Sequence, residues 1–272
     1  MIFVAPFCLY LAALFLLPLG AIVYTSFVPE GTTIFSLQFY EEFFTEALYL
    51  RVLWTTFEIS FMAAALALLV GYPVAYYLAK QPPKRRLYLS MFVLLPFYTS
   101  ILVKSFALTV VLGHSGLINW FLRLLLGDEF ALTLLFNRTG VMFGLTHSTL
   151  PYVVFPILAN LLSQDPTLHT AAEVMGAGRA RIFWRVTFPL SMPGVLVAIL
   201  LCVVHNMGSF VVPALLGGRK DMMMANLVYI NVDVLLDWNQ AAAVSLILVL
   251  MSGVFLVSLA RIRTGAMFGG DR

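Results

Sequence analysis

Thr167–Val195 reads TLHTAAEVMGAGRARIFWRVTFPLSMPGV. This is a basic, partly polar segment set between two long apolar runs. Asp165 suits an N-cap and Pro166 the first position of a short Ala-rich helix. Leu168, Ala171, Ala172 and Met175 then fall at helical spacing and make one small apolar face. Gly176 follows where a left-handed residue closes a helix cheaply, and Gly178 supplies a second joint. A second helix is expected over Arg179–Phe188, with Ile182, Phe183 and Val186 on one face and Arg181 and Arg185 on another. Pro189 and Pro193 are expected to end it. The arginines alone would suit an ordinary loop. The helix–glycine–helix order says more, because its apolar face is too narrow to form a core and has to bury against something else.

The chain around this segment is 61% hydrophobic and 11% charged, with mean hydropathy +0.96. A soluble domain could not shield that much apolar surface, whereas a bilayer needs about 20 apolar residues per helical crossing. Six spans are read, over Ile2–Phe27, Val52–Leu78, Leu87–Leu112, Gly140–Leu162, Pro193–Leu215 and Ala241–Ile262. None alternates as a transmembrane strand would, so the expected class is an all-α membrane protein. Span one lacks the basic n-region and small-residue cleavage site of a signal peptide. Cys8 and Cys202 both fall inside spans and are read as small buried apolar residues. Residues 1–272 form one domain, with Gln81-Pro82-Pro83-Lys84 as a tight turn. Ile118–Leu126 and Met222–Leu236 are expected as helices packed at the external side rather than as further spans.

Charge orients the bundle. The linkers after spans two and four and the C-terminal tail carry Lys80, Lys84, Arg85, Arg86, Arg179, Arg181, Arg185, Arg261, Arg263 and Arg272. The other linkers carry Arg51, Arg123, Arg138, Arg219 and Lys220, with the acids Glu30, Glu41, Glu42, Glu46, Asp128, Glu129, Asp221, Asp233 and Asp237. Both termini and the Asp165–Pro189 loop are therefore expected in the cytoplasm. No basic-aromatic surface stretch suits nucleic acid. No phosphate-cradling GxxxxGK[ST], no HExxH and no Cys/His cluster at metal spacing occurs, so neither a catalytic nor a metal site is expected.

Thr170-Ala171-Ala172-Glu173-Val174-Met175-Gly176-Ala177 resembles the EAA signature of ABC importer permeases, Glu-Ala-Ala-x-x-x-Gly-Ala. Within that family the chain is most similar to spermidine/putrescine-type permeases. The likeness includes Gly71-Tyr72-Pro73 with Ala75, Leu95-Pro96-Phe97, Leu150-Pro151, Pro189-Leu190 with Met192-Pro193-Gly194, and Leu216-Gly217-Gly218. It departs at Thr170, which stands where the family has its leading Glu, while an acid appears at Glu173. The resemblance implies a type I importer bundle with a cytoplasmic coupling helix, in a bacterial inner membrane. It implies a second homologous permease, two ATPase subunits and an extracytoplasmic substrate-binding protein as partners, besides membrane lipid. ATP and Mg would be bound by the ATPase and no cofactor by this chain. Thr170, Ala171, Ala172, Glu173, Met175, Gly176, Ala177, Gly178 and Arg181 would form the coupling surface.

A substrate path is expected among polar side chains of the spans and external ends. Glu58 and Lys104 are the charges deepest in spans and, by depth, are read as a pair on neighbouring helices. Tyr98, Tyr152, Asp237 and Trp238 would offer aromatic faces and a carboxylate to an ammonium group, and His147, His205 and Asn206 complete the expected set. The resemblance implies a polyamine cargo. Lys104 suits a small amino acid or aminophosphonate better. A stand-alone secondary transporter is the competing class, and a co-purifying ATPase would exclude it.

Overall fold

Apolar segments in lipid can satisfy their amides only within helices or closed barrels. The computed structural model describes residues 4–127 and 131–268, and these form helices with no strand among them. Ile2, Asp128, Glu129 and Arg272 lie outside the described residues, as does the side chain of Arg263. In chain order the helices are α1 (Val4–Phe27), α2 (Gln38–Thr45), α3 (Ala47–Ala79), α4 (Pro83–Tyr98), α5 (Ile101–Leu112), α6 (Leu117–Leu126) and α7 (Arg138–Leu162). There follow α8 (Pro166–Val174), α9 (Arg179–Ile182), a π-turn over Phe183–Thr187, and α10 (Phe188–Met207). The chain ends with α11 (Val211–Leu216), α12 (Met224–Tyr229), a second π-turn over Ile230–Val234, and α13 (Trp238–Phe268). By length and composition, six stretches can cross a membrane: Phe7–Phe27, Ala47–Ala79, Ile101–Leu126, Arg138–Leu162, Arg179–Met207 and Trp238–Ser258.

The centre is the packing of α3, α7 and α10. Hydrocarbon gives helices no hydrophobic reason to associate, so close van der Waals approach through small residues has to do it. Ala64, Ala67, Ala75 and Ala198 are buried there against Val153, Val154, Ile157 and Cys202. A Cβ on Gly71 would lie 2.7 Å from Val153 Cγ1, and one on Gly194 would lie 2.7 Å from Asn160 Cβ and 3.0 Å from the Pro156 carbonyl. Two satellite clusters pack beside this centre. One joins Ile59, Leu112, Val141, Leu145 and Leu216; the other joins Phe43, Tyr49, Met224, Leu227 and Val244. α1 packs on α13 at the periphery, and Cys8 is exposed on it rather than buried.

Two expectations about the helices are also corrected. The third crossing is not one helix over Leu87–Leu112. It breaks at Thr99-Ser100; α4 and α5 each pack on α7, and the stretch apolar enough to cross is Ile101–Leu126, which takes in the Ile118–Leu126 segment expected outside the spans. Phe97 meets Tyr152, and Leu108 lies near Gly144. Nor do Pro189 and Pro193 end the helix begun at Arg179. That helix runs on to Met207, because the π-turn shifts bonding to the wider register just before Pro189, which has no N–H to give. Met222–Leu236 is, as read, a packed element rather than a further span, with α12 lying on α13 and α3.

Candidate functional site

The segment between α7 and α10 forms a knob. Asp165 Oδ1 accepts the Thr167 N–H at 2.9 Å, and this bond holds its carboxyl below the usual carboxylate range. At the other end of α8, Gly176 takes φ +77°. Its N–H donates to the Glu173 carbonyl at 2.9 Å, and the Ala177 N–H reaches back to the Ala172 carbonyl at 3.0 Å. These two bonds are a complete Schellman closure, with Ala172 and half-buried Ala177 as its apolar contact. Gly178 has φ −68° and ψ 160°, ordinary extended backbone, and stands as the N-cap of α9.

The knob has two faces. Ala172 and Ile182 turn inward, 6% and 7% exposed, and His169 Nε2 lies 3.0 Å from Thr187 Oγ1. Outward, Pro166, Thr167, Thr170, Ala171, Val174 and Met175 line a shallow apolar hollow. Val174 and Met175 are 83% and 79% exposed, the most available apolar side chains of α8. Thr170, Ala171 and Met175 therefore share the outer surface. Ala172 is turned away from it, and Glu173 lines a cavity on the inner side. Val174 was missed by the spacing argument, although it stands four residues after Thr170 and three after Ala171 on the same stripe. Arg181 is exposed. Behind the knob, the Phe183 ring packs against Tyr76 at 5.2 Å and Tyr72 at 6.0 Å, and Tyr72 Oη bonds Ser191 Oγ at 2.9 Å. The knob is thus fastened to α3 and α10 together.

The polar groups of the spans separate into distinct places. Glu58 does not meet Lys104. It pairs with Arg138 at the start of α7, and Arg138 Nε also reaches Asp221 Oδ1 at 3.3 Å. A guanidinium offers several donors in a plane and can serve two carboxylates at once. The expected Glu58–Lys104 pair is not formed: the partner of Glu58 is decided by how α3 and α7 are rotated, which counting depth along a helix does not encode. Lys104 Nζ instead donates to the Pro96 carbonyl at 2.6 Å, and Thr99 Oγ1 donates to that of Leu95 at 2.9 Å. The break between α4 and α5 frees these carbonyls.

Around Lys104, side chains of four helices converge. Lys104 of α5 is on the same side as His147 of α7 and His205 of α10, near enough for its charge to be felt at both rings. The His205 ring lies 4.9 Å from Tyr152, which lies 5.5 Å from Phe97. His147 Nδ1 is buried without a hydrogen-bond partner. Tyr98 is 82% exposed beside Phe97. Lys104, His147, Tyr152 and His205 are thus brought together, with Phe97 as a member the sequence reading did not single out. Asn206 is not among them: it is fully buried, and its amide donates to the Ser60 carbonyl at 3.3 Å, tying α10 to α3. Asp237 and Trp238 also stand apart, at the start of α13. Asp237 Oδ1 caps that helix through the Gln240 N–H at 2.9 Å, and exposed Trp238 shares a hollow with Tyr24 and Glu30. Among the described residues no three His, Cys, Asp or Glu side chains converge as metal ligands would.

A small-residue helical core with an apolar knob held out by a glycine closure defines the transmembrane subunit of a type I ABC importer. Residues 67–263 match the family model described as the binding-protein-dependent transport system inner membrane component, and the chain belongs to that family of multi-pass inner-membrane proteins. It is 31% identical over 246 residues to the spermidine/putrescine transport system permease protein PotB of Escherichia coli (strain K12), covering 89% of each chain. With the PotB of Haemophilus influenzae it shares 32% over 209 residues, 77% of this chain and 73% of that one. Its fold is similar to a chain in the crystal structure of a bacterial alginate ABC transporter in complex with an alginate pentasaccharide-bound periplasmic protein. The TM-score is 0.76 at 16% identity, covering 94% of this chain and 91% of the other.

Proposed function

We propose that this chain is one of two permease subunits in an ATP-driven importer of polyamines such as spermidine and putrescine. The observation that carries the transport role is the exposed apolar face of α8, held on a rigid closure and fastened through Phe183 and Tyr72 to the spanning core. An amphipathic helix of this kind suits a groove in a soluble partner. Thr170, Ala171, Val174 and Met175 would enter a cleft of an ATPase that binds ATP and Mg; this chain would bind neither. Two ATPases, a second related permease and an extracytoplasmic binding protein would complete the machine. Closure of the ATPases would rock the permeases about the path near Lys104. The knob end and both termini would lie in the cytoplasm, as the basic bias of the linkers argues. A cysteine at Lys84 should resist an impermeant reagent applied to intact cells; labelling would reverse the orientation.

The polyamine reading rests on the PotB relatives. A second reading is favoured by the Lys104–His147–His205 group: among the described residues Lys104 has no carboxylate within ion-pair distance, and its ammonium would repel a polycation. It suits a small amino acid or an aminophosphonate. Calorimetry of the partner binding protein separates the two. Tight binding of putrescine or spermidine supports the first; binding of 4-aminobutyrate or 2-aminoethylphosphonate with no response to polyamines replaces it.

A further inference from the structure

On the inner side of α8, away from the hollow offered to a partner, lies a cavity of about 320 Å³. The last turns of α3 and α7 meet α8 and α9 around it. Its apolar wall includes Tyr76, Leu161 and Ile182, and its polar rim includes Lys80, Arg179 and Glu173. Lys80 Nζ sits 3.9 Å above the Tyr76 ring, which keeps its charge at the cavity edge. Among the described residues neither Lys80 nor Arg179 has a carboxylate within ion-pair distance, and neither does Glu173 have a cation. The other polar groups of the lining are already engaged: His169 with Thr187 Oγ1, and Gln164 Nε2 with the Thr187 carbonyl at 3.4 Å. Two cations and one anion thus face one space without neutralising one another.

The position matters as much as the charges. Lys80 directly follows α3, and Leu161 is next to the end of α7, so the cavity lies at the ends of two spanning helices. Lipid headgroups occupy that level, and basic pockets between helices there take phosphate. We propose that this cavity binds the headgroup of an ethanolamine phospholipid, with its phosphate on Lys80 and Arg179 and its ammonium on Glu173. The planar guanidinium of Arg179 suits two phosphate oxygens. A glycerol headgroup would leave Glu173 facing a net anion, and a choline headgroup offers Glu173 no N–H. The bound lipid bridges α3 to α8 and α9, so it belongs to the joint behind the knob. The inference rests on the proposed orientation only in naming the cytoplasmic leaflet.

The test uses the whole transporter, purified and reconstituted in nanodiscs of equal ethanolamine, glycerol and choline phospholipids. Native mass spectrometry then reads the lipid retained on the permease, independent of any cargo. Wild type should keep the ethanolamine lipid about tenfold over the choline lipid, the ratio that about 1.4 kcal/mol produces. Lys80→Gln with Arg179→Gln should lose that retention, and Lys80→Arg with Arg179→Lys should restore it. Glu173→Gln, which leaves the cations in place, should keep phospholipid but lose the preference for ethanolamine over glycerol. Free O-phosphoethanolamine that displaces the lipid at equal concentration would assign the same chemistry to a soluble ligand. Equal retention of all three lipids by wild type, or undiminished ethanolamine lipid on the doubly neutralised variant, would overturn the proposal.

Discussion

Gly176 offers a test in which backbone strain can be separated from crowding. Its φ of +77° is a left-handed conformation, and a Cβ built on it meets nothing within 4 Å. Every penalty of substitution in the isolated permease therefore comes from the residue's own backbone. Left-handed backbone costs an L-residue about 1–2 kcal/mol, and a β-branched side chain sits at the upper end. A cost of one or two kcal/mol shifts an equilibrium by roughly 5- to 30-fold. Gly176→Ala should thus weaken the closure that holds α8, and Gly176→Val should weaken it further. Gly176→Asn should come close to wild type, since Asn visits this region with its side chain bonded locally. The assay is ATP hydrolysis by the reconstituted transporter, stimulated by loaded binding protein, with membrane insertion followed in parallel. The expected order is Gly, Asn, Ala, Val, with insertion unchanged throughout. Full stimulation in Gly176→Val would refute the reasoning. Asn behaving as badly as Val would refute it differently, by showing that side-chain bulk against the partner decides the outcome.

Three further outcomes are expected. In a double-mutant cycle read by thermal unfolding in detergent, Glu58→Gln should couple to Arg138→Met by about 1 kcal/mol, because both side chains are about one-third exposed, 34% and 37%; it should not couple to Lys104→Met, and coupling there would restore the discarded pair. Gly194→Val should destabilise the α7–α10 contact by about 1–3 kcal/mol through overpacking against Asn160 and Pro156, read as lower thermal stability, whereas Gly253→Ala, with open space at its Cβ inside α13, should not lower it. Asp165 has a depressed carboxyl in the folded chain, so its cap is fully present above the ordinary value of 3.8 and is lost as pH falls through the lower folded value. Amide exchange at Thr167 should accelerate in that acid window, and Asp165→Ala should show the faster exchange already at neutral pH.

Much of this architecture was legible because it follows from local rules. Long apolar runs have to be helices in lipid, and the start of α8 at Asp165-Pro166 and its end at Gly176 are written in residue chemistry. What escaped depends on neighbours. Pro189 reads as a helix end, yet a π-turn precedes it and the helix runs on, with Phe183 of that turn packed on Tyr72 and Tyr76, residues more than 100 positions away in sequence. Ser100 reads as one polar residue in an apolar run, yet the chain breaks there and Lys104 fills the vacated bonding position. The Arg138–Glu58 contact joins residues 80 apart and depends on how α3 and α7 are rotated, which linear depth does not encode. Ala172 and Met175 share a stripe on paper, but docking of α8 on α9 turns the first inward and leaves the second in the open.

The unbroken helix from Arg179 to Met207 has a mechanical consequence. Its 29 residues make a rod about 43 Å long. The π-turn lies near one end of it, beside the knob, while Gly194 sits near the middle in close contact with α7. Close packing of Gly194 on α7 gives the rod a fulcrum. A tilt of about 5° about that point carries each end of a rod of this length by about 2 Å, in opposite directions. His205 stands almost at the far end, so a small sideways push on α8 arrives at the Tyr152 ring with its sense reversed and its size little changed.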